Sequence, residues 1–377
     1  MTISRFAFPT AIHFGVGARA LVADHLREQG IRRPLIVTDK GLAALPILSD
    51  FGAGLDGLSV GVYSGVFGNP TRAQVEGGVA EFRRHKADCV IGFGGGAALD
   101  VAKAVALMAA HEGEVLEYAW DHPKVRPITN ALPYFIALPT TSGTGSEVGR
   151  SSVISDDRTH VKKIIFSPAL LAKAVFADPE LTVDLPAGVT AATGMDALTH
   201  NVESYLSPAY HPLCDGIALE GARIAAHALE TAVKDPKNLG ARSDMMMSSL
   251  MGAIAFQKDL GAVHSCAHAL GTVVDMHHGL ANGIMIDHVM RFNRDAAEEK
   301  MAELARVCGA GGDGDAFIAW LGALKERIGI PARLGGKGVT EADIPKLVEV
   351  AIHDTCHQTN PKPCSADDFR RIFAEAL

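Results

Sequence analysis

The stretch DCVIGFGGGAALDVAKAVALMAA, residues 88–110, constrains the fold of this chain more than any other. An apolar run rich in β-branched residues ends in three glycines and passes directly into an alanine-rich segment with helical spacing. The same order recurs at PLIVTDKG (34–41) and at PYFIALPTTSGTG (133–145). Short strands that alternate with helices need crossover connections, so an α/β fold with a mostly parallel sheet is expected up to about residue 183. From PAGVTAATGMDALTHNVESYL (186–206) onward the texture changes to Ala, Leu, Met and His at helical spacing, and strands disappear. The expected organisation is an amino-terminal α/β domain, 1–183, and an all-α domain, 184–377. The prolines of DPELTVDLP (178–186) mark the boundary.

Composition narrows the function. With 48 % hydrophobic and 21 % charged residues the chain is globular, and 377 residues suffice for two cores. A net charge of -8 without a basic stripe argues against a nucleic-acid partner. No run of eighteen apolar residues and no signal-like start is present, so no membrane association and a cytoplasmic location are expected. Six cysteines without a CxxC pair read as free thiols rather than disulfides or a thiolate zinc site.

The glycine turn at 94–96 would aim successive backbone N–H groups and a helix N-terminus at one point, which favours a phosphate; a plain tight turn is the competing reading. PTTSGTGSE (139–147) adds hydroxyls and glycines after another strand. Asp39 closes LIVTD, where a carboxylate can accept both hydroxyls of an adenosine ribose and disfavour a 2′-phosphate, pointing to NAD rather than NADP. A cap on the following turn is an equal alternative.

The remaining chemistry lies in two segments. In TGMDALTHNVES (193–204), Asp196 and His200 stand four apart on one helical face. In HSCAHALGTVVDMHH (264–278), four histidines fall within fifteen positions. Spacing alone favours Asp196, His200, His264 and His268 as four ligands from two helices. His264 and His278 share an ion only if the chain turns back between Gly271 and Gly279, and spacing leaves that choice open. There is no HExxH glutamate, so the metalloprotease reading of paired histidines fails.

GGGAALDVAK, PTTSGTGSE, DPELTVDLPAGVTAATGMDALTHNVESYLSP, GAVHSCAHALG, HHGLANGIMIDHVMRFN and the late NP at 360–361 together resemble the iron-containing (group III) alcohol dehydrogenase family over nearly the whole chain. Within it, IRRPLIVTDKG, SEVGR, AFQKDLGAVHS and CHQTNPK are most similar to the 4-hydroxybutyrate dehydrogenases. The resemblance implies a dehydroquinate synthase-like architecture and an ion held by Asp196, His200, His264 and His278. Fe(II) is the family's metal, and Zn(II) suits the same ligands. It places His268 facing the nicotinamide and the substrate. It puts Asp39, Asn69, Gly95, Gly96, Ala97, Asp100, Thr140, Thr141, Thr144, Lys162 and Leu181 at the dinucleotide. The implied reaction is reversible hydride transfer between a small primary alcohol and NAD, with the ion as Lewis acid and His268, or ribose hydroxyls with a water, relaying the proton. A homodimer or higher oligomer is implied too, and the apolar start FAFPTAIHFG suits an edge strand.

Three positions depart from the family pattern. Ala97 replaces a common serine, FGNP replaces PNP, and HHG replaces PHG, which makes His277 a competitor of its neighbour. His278 is preferred by its distance from His264 and Gly279. For the substrate, Arg150 and Lys258 are candidate anchors for the carboxylate of an ω-hydroxy acid such as 4-hydroxybutyrate, and each is equally a structural ion pair or solvated cation. Ser151, Cys356 and His357 are expected in the same pocket. A non-redox dehydroquinate synthase-like enzyme would need more cations near the ligand motifs, and a maleylacetate-reducing relative would lack the ligand set. A non-catalytic metal-binding protein would bind no NAD.

Overall fold

In the computed structural model, which describes residues 8, 10–159 and 161–377, the apolar runs of the first half become one parallel sheet. Its elements are β1 (Ala11–Phe14), α1 (Val22–Glu28), β2 (Pro34–Asp39), α2 (Lys40–Ala43), α3 (Pro46–Ala53), β3 (Gly61–Val66), α4 (Arg72–His85), β4 (Cys89–Gly94), α5 (Gly96–Ala110), β5 (Tyr134–Pro139), β6 (Ser151–Ser155), β7 (Lys162–Phe166) and β8 (Ala174–Ala177). The six-stranded sheet has the order β1-β8-β5-β4-β2-β3, and every neighbouring pair is parallel. Strands β6 and β7 form a separate antiparallel pair, with Ser151 opposite Phe166. All six residues of β4 are buried, as a strand covered on both faces requires; its sequence is accordingly apolar without alternation. Phe6, Ala7 and Pro9 of the FAFPTAIHFG stretch lie outside the described residues, and β1 is an edge strand of the sheet.

The chain leaves β2 toward β3 on one side and leaves β4 toward β5 on the other. The carboxyl ends of β2 and β4 therefore flank a topological switch point, where open α/β sheets bind ligands. Asp39 ends β2 and Gly94 ends β4. Gly94 has φ +152°, and a Cβ there would stand 2.7 Å from Cβ of Ala98, so only glycine allows the strand to enter α5 this abruptly.

The chain divides into two compact units, Phe8–Thr141 with Gly145–Thr182, and Val183–Leu377 with Ser142–Thr144. The second consists of α6 (Ala187–Leu206), α7 (Pro212–Lys234), α8 (Leu239–Ala255), α9 (Ala262–Val274), α10 (His278–Val307), α11 (Gly314–Ile328), α12 (Ile344–His353) and α13 (Ala366–Ala376). No strand follows Ala177 among the described residues, and none of their helices is long and apolar enough to cross a membrane. Helix α6 is buried almost all round from Thr190 to Leu206, which makes it the central rod against which α7, α8 and α10 pack. A Cβ on Gly279 would come within 2.4 Å of the Ala192 carbonyl oxygen, so glycine lets α10 approach the α6 backbone closely. Helix α9 ends at Val274, Asp275 takes a left-handed φ of 51°, and α10 starts afresh at His278. The break between Gly271 and Gly279 thus falls at Asp275–His277.

Candidate active site

Helix α6 carries Asp196, His200 and Glu203, four and then three residues apart, on one face. Asp196 Oδ1 lies 3.9 Å from His200 Nε2, 3.8 Å from His264 Nε2 and 3.4 Å from His278 Nε2. Ligand atoms around a tetrahedral ion with bonds of about 2.1 Å stand about 3.4 Å apart, so this carboxylate and three imidazoles need only close in slightly. The amide nitrogen of Asn282 donates to Asp196 Oδ1 at 2.7 Å and lies 3.2 and 3.3 Å from Nε2 of His264 and His278. An amide nitrogen is a donor only, and Glu203 takes the Nδ1–H of His264, so His264 Nε2 turns its lone pair toward the point that Asp196 also faces. On this donor chemistry the residues fit a divalent ion.

The surroundings prepare the imidazoles for that task. Burial pushes His200 down to about 4, with Asp196 opposing part of the effect, so its ring is neutral at ordinary pH. His264 donates from Nδ1 to Glu203 Oε2 at 2.6 Å, which leaves Nε2 bare. Burial lowers the His264 value, but the hydrogen bond and charge of Glu203, with Asp196 behind them, outweigh it and raise the net value. His277 caps α10, its Nδ1 accepting the N–H of Leu280 at 3.4 Å, while His278 meets Asp196. Of the two adjacent imidazoles, His278 is therefore the one that joins the cluster.

His268 stands apart from that donor cluster. Its ring stacks on His278 with centroids 5.3 Å apart, and Nδ1 lies 2.8 Å from Asp354 Oδ2. Burial alone would raise the Asp354 carboxyl; the charge and hydrogen bond of His268, with hydrogen bonds from Ser265 Oγ and the Cys356 N–H, pull it well below the usual carboxylate range.

In the α/β unit, Gly95 caps α5, and a Cβ on it would lie 3.2 Å from Thr141 Cγ2. Thr140 donates its N–H to the Gly94 carbonyl at 3.0 Å, which ties the turn after β5 to the end of β4. Asp39 caps α2 through Oδ1, accepting from Leu42 at 2.9 Å, while Oδ2 is 3.5 Å from where a Gly94 Cβ would be. The cap and a place beside the glycine turn are thus compatible. Gly96 and Ala97 open α5 beyond that cap, Asn69 follows β3, Lys162 begins β7 and Leu181 is buried after β8. Thr144 belongs to the other unit. A bare glycine turn at a switch point with a carboxylate beside it fits a dinucleotide.

Several expected site residues also make contacts within the fold. Asp100 accepts from Ser146 Oγ at 2.6 Å and from the Val153 N–H at 3.1 Å, so its carboxylate braces Ser146 and β6. The fully buried Lys258 ammonium pairs with Asp215, so its charge is already neutralised. The His357 ring packs edge-on against Phe369 at 5.4 Å and its Nε2 meets the Ile352 carbonyl. Arg150 lies over the Phe166 ring at 5.6 Å, and the Ser151 carbonyl accepts from Lys103 at 2.7 Å. Cys356 donates its N–H to Asp354.

Glu203, Asn282 and Asp354 stand at the site in addition to the residues expected there. Glu203 had a signal, since it continues the face of Asp196 and His200, and Asn282 follows His278 by four. Asp354 has no local signal.

Residues 9–179 match the iron-containing alcohol dehydrogenase family profile, and residues 190–377 match the carboxy-terminal profile of the same family. The chain is 41 % identical over 378 residues to 4-hydroxybutyrate dehydrogenase of Cupriavidus necator, covering 98 % of each. It superposes on a 1,3-propanediol oxidoreductase crystal structure with a TM-score of 0.95 at 37 % identity, covering all of both chains. It also superposes on sulfoacetaldehyde reductase from Bifidobacterium kashiwanohense in complex with NAD+, TM-score 0.90 at 30 % identity, covering 100 % of this chain and 99 % of that one. The family uses NAD and a metal, its members are oxidoreductases acting on alcohols, and this chain belongs to the iron-containing alcohol dehydrogenase family.

Proposed function

We propose that the chain interconverts a small primary alcohol and its aldehyde with NAD, using an ion held by Asp196, His200, His264 and His278. The observation that carries this reading is the meeting of one carboxylate oxygen and three imidazole nitrogens, 3.4–3.9 Å from the carboxylate, with Asp196, His200 and His264 buried and His278 partly exposed. Fe(II) is the first choice of ion and Zn(II) the second. When bound, the ion supplies Lewis acidity toward the substrate oxygen and NAD accepts the hydride.

The chain's own residues do the rest. Glu203 and Asn282 hold ligand atoms in place, and the burial of Asp196, His200 and His264 shields that side of the cluster from water. His268, beside His278 and partly exposed, receives the hydroxyl proton at Nε2 as the C–H hydride leaves, and passes it to solvent. Gly95, Gly96 and Ala97 present backbone donors to the cofactor phosphates, with Asp39, Asn69, Thr140, Thr141, Thr144, Lys162 and Leu181 around the rest. NAD is favoured over NADP because Asp39 beside the glycine turn repels a 2′-phosphate.

For the substrate, 4-hydroxybutyrate is the reading supported by the 41 % identical relative. With Lys258 neutralised by Asp215, Arg150 is the remaining candidate anchor for its carboxylate. The protein is read as cytoplasmic and at least dimeric; light scattering on the purified chain tests the oligomeric state.

NAD reduction across 4-hydroxybutyrate, 1,3-propanediol and 1-butanol, on protein reconstituted with Fe(II) or Zn(II), tests the proposal. Turnover of a primary alcohol with one metal supports it, and no turnover with either metal sinks it. Equal kcat/KM for 4-hydroxybutyrate and 1-butanol, or an unaffected Arg150→Ala variant, removes the carboxylate anchor.

A further inference from the structure

We propose that Asp354 is a positioning residue for His268: it fixes the plane of the imidazole and keeps the ring proton on Nδ1, so that Nε2 presents its lone pair. The proposal rests on the reading that His268 works at the reacting centre.

Asp354 directly follows α12, yet its carboxylate is spent on α9 and on the turn beyond α12. Oδ2 accepts from His268 Nδ1 at 2.8 Å; Oδ1 accepts from Ser265 Oγ at 2.7 Å and from the Cys356 N–H at 2.9 Å. Ser265 Oγ in turn accepts the N–H of His357 at 2.9 Å. Ser265 and His268 are three apart on α9 and so share a face, which lets one carboxylate bridge both. The carboxylate cannot rotate without losing three donors from three backbone positions, and its orientation is thereby fixed.

A carboxylate facing Nδ1 selects the Nδ1–H tautomer, because the other tautomer would set a lone pair against an anion. The same bond holds the ring at its edge, while a face of the ring stacks on His278 at an interplanar angle of 20°. Glu203 does the corresponding work for His264 Nδ1. The two carboxylates thus divide the imidazoles of α9, one serving the ligand cluster and one serving the ring outside it.

Asp354→Asn retains size and an oxygen for Ser265 and Cys356 while turning an NH2 toward Nδ1. In Zn(II)-loaded, 15N-histidine-labelled protein, long-range 1H–15N spectra should show the Nδ1–H tautomer at His268 in the parent and its loss in Asp354→Asn. Turnover should fall about 10- to 100-fold in kcat with KM within about twofold and metal content unchanged. Asp354→Glu, which keeps the carboxylate, should recover much of kcat, and it serves if the Asn variant fails to fold. In a His268→Ala background Asp354→Asn should cost nothing further, because the group it positions is gone.

Losses that multiply in the double variant, or a parent tautomer that persists in Asp354→Asn, overturn the proposal. If His268→Ala is impaired while Asp354→Asn turns over normally, only the positioning role falls. If His268→Ala itself behaves as the parent, the reading of His268 falls and the proposal falls with it.

Discussion

The Glu203 carboxylate lies 2.6 Å from Nδ1 of His264 and also accepts the Val263 N–H at 2.7 Å, so one buried acid orients the ring and caps the first turn of its helix. Glu203→Gln replaces this charge-assisted acceptor with an amide that can equally well present a donor to Nδ1. Metal affinity should drop by roughly 10- to 100-fold, with activity restored by excess metal. Chelator competition on Zn(II)-loaded protein measures it, and an unchanged affinity would remove Glu203 from the support of the ligand cluster.

Gly279→Ala places a methyl 2.4 Å from the Ala192 carbonyl oxygen and 3.3 Å from Cβ of Asp196. Neither the α6 backbone nor its ligand can yield locally, so α10 must move with His278. A stability loss of about 1–3 kcal/mol together with weaker metal binding is expected, read by urea unfolding with and without Zn(II). Destabilisation without any change in affinity would separate the packing of α10 from the geometry of the site.

Glu147 is buried, and desolvation pushes its carboxyl up to about 7 from an ordinary 4.5 despite its own backbone N–H and Lys103. The folded chain therefore holds this proton more tightly than the unfolded chain. Its contribution to stability is complete below about pH 4.5 and is lost as pH rises through 7. Glu147→Gln mimics the protonated form, so its stability relative to the parent should improve between pH 4.5 and 8 by up to about 3 kcal/mol. Urea midpoints across that range check the slope; a parallel pair of curves would show that Glu147 ionises normally.

Lys258→Met removes a fully buried ammonium from Asp215, whose side chain keeps 32 % exposure. Because Lys300 Nζ stands 3.9 Å from the same carboxylate and water still reaches it, the expected loss is roughly 1–3 kcal/mol, below that for a completely buried pair. The ratio of 4-hydroxybutyrate to 1-butanol efficiency should be unchanged. A selective rise in KM for the hydroxy acid would return Lys258 to the substrate pocket.

Local order was largely legible in the sequence. Strand, glycine turn and helix follow one another at 88–110 as the chain requires, because a strand covered on both faces must be apolar and an abrupt strand-to-helix turn must be glycine. Asp196 and His200 needed nothing beyond the helical period. Lys258 and Asp100 read differently, since a charged residue looks the same in sequence whether it faces a ligand or its own fold. Their partners, Asp215 and Ser146, lie 43 and 46 residues away.

The sequence by itself determined the parallel sheet, the helical second half and the pool of imidazoles at 264–278. Only the tertiary structure decided how that pool divides. A left-handed Asp275 swings α10 so that His278, fourteen residues from His264, meets Asp196 at 3.4 Å, while His268 turns to Asp354, 86 residues away. Spacing along one helix fixes which residues share a face; which of them meet at one point depends on where the chain breaks and what packs against it.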